Sequence, residues 1–142
     1  DASTDSMPEK VSKYTAGDSR IELIRHEKNL GVGQAIINGY TRSLEENYDI
    51  AVVTGGDNQM PLDEMSNLLD PIIEDRADYV KGNRFLIEGN VFENMPRIRQ
   101  FGNAVITLMT KIASGYFKIY DVVYGYTAIS KKALNTVNWK KA

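Results

Sequence analysis

The sequence contains no cysteine, which excludes disulfides, thiolate metal centres and cysteine nucleophiles and is compatible with a reducing compartment. Its single histidine, His26, removes a histidine-rich zinc site and paired-histidine chemistry from within the chain. Charge of one sign is not in excess either: 17 basic residues face 19 acidic ones, a formal net charge of −2. No global field therefore draws the chain to nucleic acid or anionic lipid, and any anion must be held by local groups. No run approaches the roughly 18 apolar residues of a spanning helix, and the start lacks the basic-then-apolar layout of a signal peptide, so this segment is expected to be soluble. What is present, 142 residues of 42% hydrophobic content, fits one domain, 1–142, with a real core.

Segment types alternate, which predicts an α/β domain. Residues 20–26 mix alternation with β-branched side chains and predict a strand, followed by a helix over 33–46 with Ala35, Ile36, Gly39, Tyr40 and Ser43 on one face. A continuous apolar run at 50–54 predicts a strand covered on both faces. A helix over 61–74 should turn Met65, Leu68, Leu69 and Ile72 inward, and 78–81 predicts a short strand ended by Gly82. Beyond Pro96 a long amphipathic helix is expected to about 114, with Ile98, Val105, Ile106, Leu108, Met109 and Ile112 as its apolar content. Strands at 118–123 and 126–129 and a short helix at 131–137 complete the pattern, with no internal repeat. The opening Asp1-Ala2-Ser3-Thr4-Asp5 is a cluster of turn and cap residues that normally follows a strand. Either the chain starts on an exposed loop, or it is a piece whose first βα unit lies upstream.

Four stretches could carry chemistry. In Val52-Val53-Thr54-Gly55-Gly56-Asp57-Asn58-Gln59-Met60-Pro61, an apolar strand breaks into glycines and presents a carboxylate and an amide. Oxygen donors of that kind suit Mg²⁺ or Mn²⁺, which keep open positions for phosphate oxygens, although a solvated Asp at a strand–turn–helix junction would look the same. Residues 26–35, His-Glu-Lys-Asn-Leu-Gly-Val-Gly-Gln-Ala, form a glycine-rich connection whose backbone N–H groups could face an anion or simply ease a tight turn. As a dinucleotide fingerprint it is defective, because Ile36 stands where the third glycine belongs. Lys81-Gly82-Asn83-Arg84-Phe85 and the two arginines Arg97 and Arg99 supply cations after strands or at a helix start, where guanidinium forks suit phosphates. Asp121 stands beside a Tyr124-Gly125-Tyr126 turn and could act as general base, with the tyrosines serving equally well as rim packing.

In series these stretches resemble the family 2 glycosyltransferases with a GT-A nucleotide-sugar-binding domain, in the branch of polyprenyl-phosphate (dolichyl-phosphate) sugar synthases. Asp1-Ala2-Ser3-Thr4-Asp5 is similar to the end of the family's Asp-Asp-Gly-Ser-Thr-Asp loop, and residues 29–35 to its Asn-x-Gly-x-Gly-x-Ala element. Asp57 and Gln59 before Pro61 fall on Asp-x-Asp-x-Gln followed by proline, with Gly55 in place of the first Asp. Residues 81–85 match Lys-Gly-Ser-Arg-Phe, and Arg99 with Gly102-Asn103, then Asp121 with Gly125-Tyr126, complete the order. The resemblance implies an α/β, Rossmann-like GT-A sheet with helices on both faces, N-terminally incomplete. It implies Asp57, Arg84, Arg99 and Asp121 as catalytic residues, Asp1, Asn29, Gly31, Gly33, Lys81 and Arg84 around the nucleotide, and Asp57 with Gln59 on Mg²⁺ or Mn²⁺. The implied partners are a UDP- or GDP-sugar donor and a lipid-phosphate or carbohydrate acceptor, with no nucleic acid. The implied location is cytoplasmic, at the cytoplasmic face of a membrane where segments outside this chain make the contact. Two rival functions remain: an NAD(P)-dependent oxidoreductase built on Gly31 and Gly33, and a non-catalytic nucleotide-sugar-binding domain suggested by Gly55.

Overall fold

The computed structural model describes residues 1–83, 97–118 and 120–139. Its contacts divide into two compact units, Asp1–Glu46 and Asn47–Ala142.

The first unit is helical. Helix α1 (Met7–Thr15) begins where the cap cluster ends: the Met7 N–H donates to Asp5 Oδ1 at 3.0 Å, and a proline stands in the first turn, where its missing N–H has no intrahelical partner to lose. Helix α2 (Val32–Glu45) lies within a residue of its predicted span and buries Tyr40. Its N-cap, Gly31, sits at φ +88°, in a region that side-chain-bearing residues rarely enter. The strand expected at 20–26 does not form, and residues 21–26 have no regular secondary structure. A strand exists only by sharing its N–H and C=O groups with a neighbour, and this unit contains no second strand among its described residues.

The second unit is built on a three-stranded sheet of β1 (Ile50–Val53), β2 (Tyr79–Lys81) and β3 (Thr127–Ser130), in the order β1-β3-β2. Both outer strands pair antiparallel with β3, so β1 and β2 run parallel to each other. All four residues of β3 are buried, because it is the central strand. A 3-10 turn (Leu62–Glu64) leads into α3 (Met65–Ile73), which sets Leu68 against the sheet, with Tyr124, Tyr126 and Ala128 completing the buried cluster. Met60, Val52, Val80 and Ile72 pack around that cluster. Helix α5 (Lys131–Thr136) is capped by Ser130, whose Oγ accepts from the Ala133 N–H at 3.1 Å and donates to Asp78 Oδ1 at 2.9 Å.

Two expectations need correction here. Residues 118–123 form no strand in their described positions, and the strand expected at 126–129 lies one residue later, at Thr127–Ser130. Helix α4 (Arg97–Ser114) has the expected length, but its buried positions are Asn103 and Thr107 while Ile98, Val105, Ile106, Leu108, Met109 and Ile112 are exposed. Positions 103 and 107 are four apart and share one face, so a polar stripe faces inward. No helix among the described residues is long and apolar enough to cross a membrane.

Candidate active site

The sheet register gathers three loops at one edge. Thr127, the first residue of β3, is opposite Val53 on one side and Lys81 on the other. The last residues of β1 and β2 therefore stand level, and the 54–60 loop, Gly82-Asn83 and the 121–126 turn all leave the sheet together. Outside the carboxyl ends of parallel-running strands is where α/β sheets hold their ligands.

Asp57 is exposed on the first of these loops, and its Oδ1 accepts the Gln59 N–H at 3.2 Å. That turn is tightened by Asn58 at φ +58°, a conformation in which Asn is less disfavoured than most residues. Gly55 is placed where a Cβ would lie 3.0 Å from the same Oδ1 and 3.5 Å from Met60 Cε, while its N–H donates to Met60 Sδ at 3.0 Å. The departure from Asp-x-Asp thus has a local use: the missing side chain leaves room for the Asp57 carboxylate. Among the described residues no group of three His, Cys, Asp or Glu side chains could hold a metal alone. One exposed carboxylate fits Mg²⁺ or Mn²⁺ in the manner of sites completed by substrate phosphates and water.

Tyr124 and Tyr126 clasp this loop to the 121–126 turn. The Tyr126 hydroxyl donates to the Pro61 carbonyl at 3.2 Å and the Tyr124 hydroxyl reaches the Gln59 carbonyl at 3.5 Å, with the rings edge-to-face at 6.2 Å. Burial, and then the Glu64 carboxylate, hold the Tyr126 phenol above its ordinary range, so it remains a donor at neutral pH. Both tyrosines are buried in the core cluster, so rim packing does not describe their place. Asp121 is only 1% exposed, and its Oδ1 accepts the Tyr124 N–H at 3.2 Å. Lys81 donates its Nζ to the Tyr124 carbonyl, and the Gly82 N–H donates to the Tyr126 carbonyl at 2.8 Å. Lys81, Gly82 and Asn83 line two cavities of about 490 and 730 Å³, the larger also bounded by Lys118, Tyr120 and Asp121. Volumes of this order accept small-molecule ligands. Arg84 lies outside the described residues, as does the Arg99 side chain, so their convergence on Asp57 is not part of this geometry.

The first unit holds the glycine turn in a way the sequence did not disclose. Asp1 supplies its anion: Oδ1 accepts the Leu30 N–H at 2.9 Å and Oδ2 the Gly31 N–H at 2.7 Å. Asn29 Oδ1 accepts the same Gly31 N–H at 2.9 Å. Asp1 Oδ1 also lies 2.8 Å from His26 Nδ1, and His26 Nε2 lies 2.7 Å from Asn38 Nδ2 on α2. A lone histidine just before a glycine turn, with an amide twelve residues later, was the available signal. Gly33 has open space where a Cβ would stand.

A carboxylate, a lysine and glycine turns thus stand together at the carboxyl ends of parallel-running strands, where α/β architectures place their ligand sites. More narrowly, the chain belongs to glycosyl transferase family 2, whose model matches residues 1–137. It is 35% identical over 119 residues to a UDP-N-acetylglucosamine–dolichyl-phosphate N-acetylglucosaminyltransferase of Methanococcus voltae, a match covering 84% of this chain and 47% of that protein. It is 26% identical over 138 residues to an undecaprenyl-phosphate mannosyltransferase of Micrococcus luteus, covering 97% of this chain and 55% of the relative. The chain spans about half the length of these curated relatives. Membership brings the GT-A α/β fold, and the family is one of glycosyltransferases, not of the NAD(P)-dependent oxidoreductases weighed from Gly31 and Gly33.

Proposed function

We propose that this chain is the donor-binding part of an enzyme that moves a sugar from a nucleoside-diphosphate sugar to a polyprenyl phosphate, with inversion at the anomeric carbon. The carrying observation is the placement of Asp57, Lys81 and Gly82 on one sheet edge in a family 2 domain whose relatives are named for polyprenyl-phosphate acceptors. An oxygen of the acceptor phosphate attacks the anomeric carbon, the bond from that carbon to the diphosphate breaks, and its electron pair leaves on the nucleoside diphosphate. Asp57, with Gln59, would hold Mg²⁺ or Mn²⁺, and the bound cation would stabilise charge on the departing diphosphate. Lys81, Arg84 and Arg99 are assigned to the same developing charge, the kind of electrostatic contribution that often dominates transfer. A phosphate acceptor is already anionic and needs no base, in accord with the burial of Asp121 against Tyr124 N–H. Its work would be at the cytoplasmic face of a membrane, where a polyprenyl phosphate is anchored.

In the first unit, Asp1 is assigned to the nucleotide base, and Asn29, Gly31 and Gly33 to the turn beside it. An ionised carboxylate offers about four acceptor directions, and His26, Leu30 and Gly31 occupy three of those on Asp1. One direction is left, suited to a base that donates an N–H, as uracil does at N3 and guanine at N1. Cytosine and adenine present acceptors at the corresponding ring nitrogens. Calorimetry of the full-length enzyme with Mn²⁺ should therefore rank UDP or GDP above CDP and ADP by about tenfold or more, the cost of an unpaired buried acceptor. Equal affinity for all four would remove the base-binding role of Asp1.

A further inference from the structure

The Asp1 carboxylate is not a free-standing ligand group, and the chain of contacts behind it is ordered. Its side chain is 16% exposed and that of His26 is 8% exposed. Behind the imidazole, Asn38 Oδ1 accepts from Gln34 Nε2 at 2.8 Å, which turns Asn38 Nδ2 toward His26. An amide NH₂ is a donor only, so His26 Nε2 must accept and the ring's one proton in the neutral state sits on Nδ1, pointed at Asp1. This is the reverse of the tautomer that an isolated neutral histidine favours in water. Asp1 then spans His26 and the Leu30 and Gly31 amides, and Gly31 is the N-cap of α2 at φ +88°.

We propose that His26 is a positioning residue for the donor: held by Asn38, it sets the Leu30–Gly31 turn through the Asp1 carboxylate. The proposal rests on the donor-binding role assigned above to Asp1 and the 29–33 turn. Asp1 supplies the charge facing the ring, and α2 faces it with the uncharged Asn38.

The test uses the full-length enzyme. Nitrogen NMR of His26, assigned by its loss in His26→Gln, should show the Nδ1–H tautomer at neutral pH; the Nε2–H tautomer would overturn the proposal. His26→Gln should raise the donor KM by about tenfold with kcat changed less than about twofold, as expected when binding rather than chemistry is lost. A KM within about twofold of wild type would overturn it. Asn38→Leu removes the amide that faces Nε2, and should raise the donor KM in the same direction as His26→Gln with kcat little changed; a donor KM within about twofold of wild type would count against the proposal. Failure of the wild type to transfer sugar would sink the assigned function alone. The Leu30 and Gly31 amide signals test the clamp separately, since they should shift in His26→Gln, and unchanged signals would refute it.

Discussion

Adding one methyl group at Gly82 should damage the sheet edge that carries the proposed site. A Cβ there would stand 3.0 Å from Tyr124 Cε1, 3.2 Å from Cδ1 and 3.3 Å from the Tyr126 carbonyl. Two of these atoms belong to a ring that is 5% exposed and held edge-to-face on Tyr126, and the third is the acceptor of the Gly82 N–H. None is the loose end of a flexible side chain, so the ring and the strand end must both shift. Overpacking of this kind costs about 1–3 kcal/mol, and the Tyr124 hydroxyl should lose its reach to Gln59. Gly82→Ala in the full-length protein should lower the urea midpoint by the equivalent of about 2 kcal/mol at an unchanged slope, and weaken donor binding as well. Gly39→Ala is the control of opposite sign: it lies within α2 with nothing inside 4 Å of the added Cβ, and should stabilise by about 0.5–1 kcal/mol. A neutral or stabilising Gly82→Ala would refute the claim that this glycine is required by close approach of the tyrosine.

Ser130→Ala should cost about 1 kcal/mol through loss of the α5 cap, and it should also blunt acid sensitivity. The Ser130 hydroxyl, and then Lys132, hold the Asp78 carboxyl below its usual range. That contribution is fully present above the unfolded carboxylate value of about 3.9 and is lost as pH falls through the lower folded value. Urea unfolding below about pH 4 should therefore decline more steeply in wild type than in Ser130→Ala, and parallel curves would contradict this. Gly55→Ala should leave stability within about 0.5 kcal/mol, because the Asp57 carboxylate can swing away. The same swing should raise the Mn²⁺ concentration needed for half-maximal transfer by several-fold, and an unchanged requirement would remove the room-making role of Gly55.

Legibility followed the locality of the interactions. Helices α2 and α4 were readable because their 3.6-residue pattern and flanking glycine or proline are local features, and β1 because a short apolar run needs no partner to be noticed. Residues 20–26 carried the same strand signal and form none, since pairing is decided by neighbours distant in sequence. The buried positions of α4, Asn103 and Thr107, were not legible for a related reason: the spacing reports the helix's apolar content, while burial is decided by tertiary neighbours. Asp57, Lys81 and Asp121 stood out as candidates in the sequence from their places beside turns or after strands and from their family motifs. Their common edge was hidden until the register placed Thr127 opposite both Val53 and Lys81. The Asp1–His26–Asn38 chain was hidden altogether, because polar contacts between residues 25 and 12 positions apart leave no periodic trace.

The central claim is that the Asp57 loop is the metal-diphosphate end of a sugar-transfer site, and Asp57→Asn in the full-length enzyme tests it most directly. The substitution keeps size and the turn to Gln59 N–H while removing the negative charge a divalent cation requires. Transfer of labelled sugar from a nucleoside-diphosphate donor to a polyprenyl phosphate, measured across a Mn²⁺ series, should fall by about a hundredfold or more, with the circular dichroism spectrum and unfolding midpoint unchanged. Near-normal transfer with an unchanged Mn²⁺ dependence would contradict the account.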